Sequence, residues 1–197
     1  MEQVGILLFN DFETLDVYGP VEVFGRFPEH YYLSFYSLAG AVISNRHNVS
    51  VNTLPVNERT RPIDILLIPG GIGTRTAIND EALINAIRTT GTNATFILTV
   101  CTGAALLAKS GLLDNRRATS NKRAFDWARS SSYKVNWISK ARWMQDGRFY
   151  TSSGVSAGID MTLGFIADRH GTAAAEAAAA QIEYLWNPDR TNDPFAD

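Results

Sequence analysis

Ala94-Thr95-Phe96-Ile97-Leu98-Thr99-Val100 runs without a break into Cys101-Thr102-Gly103-Ala104. The reading of that junction decides the fold. A continuous apolar run with little polar alternation is the pattern of a strand covered on both faces. The small residues after it open a helix, expected over Ala104–Ser110, with Gly111 placed to cap its end. A buried strand passing straight into a helix belongs to an α/β fold with a parallel sheet.

The same pattern recurs outward along the chain. Val4–Phe9 (VGILLF) and Asp64–Ile68 (DILLI) are further runs of the buried type, the second closed by Pro69-Gly70-Gly71. Tyr32–Leu38 alternates as a half-buried strand should, and Val49–Val51 begins another short one. Lys134–Ser139 is a strand candidate, and Ala141–Thr151 reads as a hairpin turned at Asp146-Gly147. Helices are expected over Leu15–Arg26, Asp80–Thr90, Ala157–Arg169 and the alanine-rich Thr172–Trp186. Pro20 inside the first suggests a kink or a late start. No repeat, linker or low-complexity tract divides the chain, so residues 1–197 are read as one domain: a mostly parallel sheet with helices on both faces.

Composition narrows the function classes. With 197 residues, 45% hydrophobic and 19% charged, the chain can bury a sizeable core and is not a disordered one. Net charge is −2 and no Lys/Arg cluster stands out, so no nucleic-acid footprint is visible. A single Cys excludes an intramolecular disulfide. Met1-Glu2-Gln3-Val4 lacks the basic start of a signal peptide, and no window reaches the roughly 20 apolar residues of a membrane helix. A soluble cytoplasmic protein, without membrane or nucleic-acid partners, is therefore expected.

In parallel sheets, ligands sit at the carboxyl ends of the strands. Asp11–Asp16, Pro69–Gly73 and Cys101–Ala104 should meet there. Cys101 at a strand-to-helix turn faces the unpaired amides and positive end of a helix, which favour thiolate over thiol. The other reading is a buried Cys with no reactivity, because Cys is a common core residue. Gly70-Gly71-Ile72-Gly73 could turn backbone amides toward an oxyanion, or could be a tight turn alone. Thr76 stands where a dinucleotide-binding loop needs its third Gly, and no Walker Lys follows. Glu13 and Asp16 lie three apart, on one face once a helix has begun. Asp16 could bond the thiol, or move a proton if burial raises its pKa; Glu13 equally fits ordinary first-turn chemistry. His30, His47 and His170 show no metal spacing and no pairing with Cys101. No metal or organic cofactor is expected.

Taken together, Leu8-Phe9-Asn10-Asp11-Phe12-Glu13 with Leu15-Asp16 and Gly19-Pro20-Val21-Glu22-Val23-Phe24, Ile68-Pro69-Gly70-Gly71, Val100-Cys101-Thr102-Gly103-Ala104 and Gly154-Val155-Ser156-Ala157-Gly158-Ile159-Asp160-Met161 resemble the ThiJ/PfpI superfamily. The resemblance spans positions 8–161 and implies the class I glutamine amidotransferase-like, flavodoxin-like three-layer sandwich. Within it, the chain is most similar to the isocyanide hydratase branch. That implies a nucleophile at Cys101, an acidic partner at Asp16 and a role for Thr102, with an amide near Gly71 or Ile72 facing the reacting centre. The peptidase and glutaminase-like branches carry His after the Cys, where this chain has Thr102. The glyoxalase-like branch carries Glu where Asp16 stands. Relatives commonly read Ala-Thr-Thr-His-Trp where this chain reads Ala118-Thr119-Ser120-Asn121-Lys122, so Asn121 marks a changed pocket wall.

The function so implied is a cofactor-independent lyase acting on a small electrophile, with isocyanide hydration to an N-formamide the foremost case. Cys101 would attack the terminal carbon, Asp16 would deliver or accept the proton, and water would release the product. Two other readings stand beside it. One is a non-catalytic redox sensor whose exposed, low-pKa thiol is oxidised. The other is a glyoxalase- or amidase-like hydrolase recruiting a distant His such as His47. The same fold forms the sensor half of AraC-type regulators, and the chain's stop at Asp197 is read as lacking their DNA-binding part. A homodimer is implied by the resemblance, with Thr172–Trp186 able to support its interface.

Overall fold

The structure is a computed structural model, and it describes residues 1–57 and 61–196. In chain order the first half contains β1 (Glu2–Leu7), α1 (Thr14–Phe24), β2 (Tyr31–Ser37), β3 (Val42–Ser44), β4 (Ser50–Asn52), β5 (Leu54–Pro55), β6 (Ile65–Ile68), α2 (Thr74–Ala77) and α3 (Glu81–Asn93). The second contains β7 (Phe96–Thr99), α4 (Gly103–Lys109), β8 (Arg117–Ala118), α5 (Phe125–Arg129), β9 (Asn136–Trp137), β10 (Trp143–Asp146), β11 (Phe149–Ser152), α6 (Ala157–His170) and α7 (Thr172–Gln181).

Seven strands form the main sheet in the order β10-β11-β7-β6-β1-β2-β5. All neighbours run parallel except β10, which pairs antiparallel with β11 as the hairpin expected around Asp146-Gly147. The unbroken apolar runs have a direct cause. In β6, Ile65 and Leu67 enter one core while Leu66 and Ile68 enter the other, and all four are fully buried. α1, α6 and α7 cover the first face; α2, α3 and α4 cover the second. The expected three-layer α/β sandwich is thus the observed one.

β1 lies between β2 and β6, so the chain leaves it toward one side and later returns on the other. That reversal opens a crevice at the carboxyl ends of β1 and β6, where open α/β sheets bind ligands. Among the described residues, no helix is long and apolar enough to cross a membrane.

Several boundaries differ from the sequence reading. α1 begins at Thr14 and runs through Pro20, whose missing N–H costs only the bond to the Asp16 carbonyl. Buried Val17, Val23 and Phe24 hold the helix in the core despite that loss. Lys134–Ser139 contributes only Asn136–Trp137, paired with β8 outside the main sheet. α2 and α5, of four and five residues, have no counterpart in the sequence reading.

The last helix ends at Gln181 rather than Trp186 because the following segment turns back onto Asp160. Tyr184 Oη and the Asn187 amide donate to Asp160 Oδ1 at 3.1 and 2.9 Å, and Trp186 Nε1 donates to its carbonyl at 3.2 Å. Arg142 holds the other carboxylate oxygen from Nε at 2.7 Å, both side chains being buried. Ala175, Ala178 and Ala179 of α7 are likewise buried within the chain.

Candidate active site

Three loops meet at the carboxyl edge, and backbone bonds fix their spacing. Gly73 N–H donates to the Asp11 carbonyl at 3.1 Å, and Glu13 N–H to the Gly70 carbonyl at 2.9 Å. The approach leaves no room for side chains. A Cβ on Gly73 would lie 1.9 Å from the Asn10 carbonyl oxygen. One on Gly70 would lie 2.5 Å from the Thr102 nitrogen and 2.9 Å from Asp16 Oδ2. The glycines that close β6 are therefore the condition for bringing Cys101 and Asp16 together.

Cys101 occupies the left-handed region, at φ 58°. For a residue other than Gly this is uncommon, and it is the conformation of a nucleophile held on a sharp strand-to-helix turn. The turn is clamped from both ends: Cys101 N–H donates to the Ser153 carbonyl at 3.0 Å, and Ser120 Oγ donates to the Cys101 carbonyl at 2.8 Å. The residue is only 7% exposed. Burial pushes the thiol up first, and the adjacent Asp16 charge adds to it. The amides of Thr102 and Val155 and the Thr102 hydroxyl bond the sulfur and pull the other way. The exposed, low-pKa thiol expected from the helix start is thus corrected: desolvation outweighs what the short helix offers.

Asp16 has no exposed surface. Its Oδ2 accepts the Gly70 N–H at 2.8 Å, while Oδ1 is buried without a hydrogen-bond partner of regular geometry. Burial holds its carboxyl well above the usual carboxylate range; the Gly70 amide opposes this, Glu13 adds to it, and the Cys101 side chain opposes it. A protonated Asp16 removes the buried charge and turns an orphaned acceptor into a donor beside the sulfur. Burial thus favours the protonated form of both groups.

The remaining sequence-derived residues are distributed around this pair. Thr102 Oγ1 accepts from the Gly71 N–H and lies beside Thr74 Oγ1, each at 3.1 Å, so the Gly71 amide braces Thr102 in this geometry. Ile72 carries its side chain 49% exposed, away from the core. Glu13 stands at the N-cap position of α1 without a side-chain capping bond, half-buried, and acts on the pair through its charge. Asn121 lies against Gly154, where a Cβ would meet its Nδ2 at 2.4 Å, and its Oδ1 accepts the Ala124 N–H at 3.0 Å. None of the interactions that shift Cys101 comes from a histidine. His47 bonds the Thr14 hydroxyl at 3.1 Å, and His30 and His170 stack on each other at 4.5 Å near Tyr31, at the opposite end of the sheet.

Two contributors escape the sequence reading. Val155 presents its amide to the sulfur from a backbone at φ 43°, a strained state for a β-branched residue. The Gly154 before it is the one local signal. Arg75 stands close enough to Cys101 for a thiolate there to favour its charge, although burial lowers its pKa. Its Nη1 donates to Thr74 Oγ1 at 2.9 Å.

Known proteins share this architecture. The family model described as the DJ-1/PfpI family matches residues 2–168. The isonitrile hydratase of Pseudomonas putida is 30% identical over 189 residues, covering 94% of this chain and 80% of the relative. The HTH-type transcriptional regulator CdhR of Pseudomonas aeruginosa is 31% identical over 164 residues, 83% of this chain but only 48% of the regulator. Among solved structures, a THiJ/PfpI family protein from Pseudomonas syringae superposes with TM-score 0.81 at 26% identity, covering 95% of this chain and 76% of that one. The oxidised DJ-1 of Toxoplasma gondii superposes with TM-score 0.76 at 20% identity, covering 94% and 100%, and so shares the fold.

Proposed function

The chain belongs to the DJ-1/PfpI family, and from that premise we propose that it is a cysteine-dependent lyase that hydrates a small isonitrile to its N-formamide. One observation carries this reading. A buried Cys101, strained into the left-handed region, adjoins a buried carboxylic acid whose free oxygen has no other regular partner. The relative named an isonitrile hydratase supports the substrate class.

The chemistry needs a nucleophile and a proton at one carbon. Sulfur bonds to the terminal carbon of the isonitrile, the same carbon takes the Asp16 proton, and the thiol proton passes to Asp16, giving a thioimidate beside a carboxylic acid. Water then adds across the C=N bond, its oxygen to carbon and a proton, passed through Asp16, to nitrogen. The C–S bond breaks with its electron pair leaving on sulfur, and the hydroxyl proton passes through Asp16 to the sulfur. One isonitrile and one water give one formamide, and the pair is restored. Amide hydrolysis by a Cys–His dyad draws no support, because no histidine acts on Cys101.

A panel of alkyl and aryl isocyanides, assayed for formamide with wild type and Cys101→Ala, tests the proposal. Turnover that vanishes in the variant supports it. Equal turnover in both would sink it. A non-catalytic role is favoured by the match to the transcriptional regulator CdhR, and selective oxidation of Cys101 by mild peroxide without turnover of any isocyanide would replace the lyase reading with redox sensing.

A further inference from the structure

A cavity of about 420 Å³ is lined by Arg75, Lys122, Arg123, Trp127 and Arg129, with Asp126 the one acid among its described lining residues; Arg75 is what links it to the site. Asp126 is committed to Arg129 at 3.2 Å. Arg75, Lys122 and Arg123 have no carboxylate within ion-pair distance among the described residues. Lys122 gives its ammonium to the Thr119 hydroxyl at 2.8 Å and to backbone carbonyls; burial lowers its pKa to about 8, which leaves it largely charged at neutral pH.

Among these cations, Arg75 is the one whose charge a thiolate at Cys101 would favour. Its guanidinium lies 3.5 Å from the centroid of the Trp127 ring, which fixes the plane of the fork. Among the described residues one of its five N–H donors is used, on Thr74 Oγ1 at 2.9 Å; Thr74 Oγ1 donates to the Gly71 carbonyl at 2.7 Å and lies 3.1 Å from Thr102 Oγ1, and Thr102 follows Cys101. The Thr74 hydroxyl thus stands between the guanidinium and the residue next to the nucleophile. An oriented, half-buried guanidinium with spare donors and no carboxylate is built to receive a planar anion in two parallel bonds.

We propose that this cavity holds the anionic end of the substrate, so that the isonitrile taken by Cys101 carries a carboxylate anchored on Arg75. The inference rests on the hydratase reading for the reacting end and on the cavity for the anchoring end. It adds a specificity residue, Arg75, and a substrate class, the small isocyano acids. Lys122 and Arg123 raise the local positive potential without touching the reacting atoms.

The two halves separate experimentally. N-formylglycine and its methyl ester are the hydration products of isocyanoacetate and methyl isocyanoacetate, and their binding can be measured by calorimetry without any turnover. The acid should bind wild type about tenfold more tightly than the ester, the scale of a partly exposed charge-assisted pair. In Arg75→Gln that ratio should fall toward one, and Arg75→Lys, which keeps stem and charge but not the fork, should lie between. Absence of acid binding, equal binding of acid and ester to wild type, or a ratio that survives Arg75→Gln would overturn the anchor. Hydration of the two isocyanides is then scored separately. If the acid binds through Arg75 and neither isocyanide is hydrated, the hydratase reading falls and the anion site stands. If both are hydrated equally and independently of Arg75, the reverse holds.

Discussion

Cys101 and Asp16 place two ionisable groups in a space nearly closed to water, which favours the protonated form of each. Asp16→Asn separates the cost of this arrangement from its use. Asn preserves the acceptor for the Gly70 amide but has no proton to move, so kcat/KM should fall by about 10²–10⁴, the usual worth of a positioned acid–base group. Stability should move the other way. A carboxyl whose folded pKa is raised contributes stability below its unfolded value near 3.9, and loses it as pH climbs through the folded value. Each unit of elevation costs about 1.4 kcal/mol above that range. The Asn variant should therefore melt several degrees higher than wild type at pH 8, with the gap closing toward pH 4. A variant less stable at every pH would contradict the buried-acid assignment. The sequence showed Cys101 and Asp16 because their residue types name their chemistry. It did not show Val155 or Arg75, since a backbone amide has no residue type and an Arg on a four-residue helix has no periodicity to place it.

Elements carry the site through loops that nearly touch. Gly73 packs on the Asn10 carbonyl so closely that Gly73→Ala must part the loops after β1 and β6. The cost should be about 1–3 kcal/mol, typical of overpacking, read as a lower denaturant midpoint with an unchanged slope. Activity should fall further than stability alone explains, because Asp11 and Glu13 are tied to the same loop. Strands were legible here because burial on both faces forces a continuous apolar run, as in β6. α5 was not legible: its five residues are too few to display a helical period. α1 shows the other failure, in which core packing overrides the warning given by Pro20.

At the scale of the whole molecule, the sheet brings the three loops to one edge and the C-terminal segment closes the side. Arg142 binds Asp160, and the main-chain amides of Arg142 and Trp143 donate to the Arg190 carbonyl at 3.0 and 3.4 Å. Phe195 and Ala196 at the end of that segment line the cationic cavity. Arg142→Leu leaves the buried Asp160 and Asp193 without their cation, and should cost about 3–5 kcal/mol in chemical unfolding. It should also raise KM for an isocyano acid, since one wall of its cavity loosens. None of this was visible from the sequence, where Thr172–Trp186 reads as one helix; the break at Gln181 follows from the pull of Asp160 on Tyr184 and Trp186.

The central claim is that Cys101 forms a covalent thioimidate on the way to the formamide. Wild-type protein mixed with methyl isocyanoacetate, quenched in acid within the first turnover and read by intact mass and peptide mapping, tests it most directly. One added isocyanide mass on the Cys101 peptide, rising and then decaying as formamide appears and absent from Cys101→Ala, is the predicted result. Formamide produced at the wild-type rate by Cys101→Ala, with no adduct on the wild type, would contradict it.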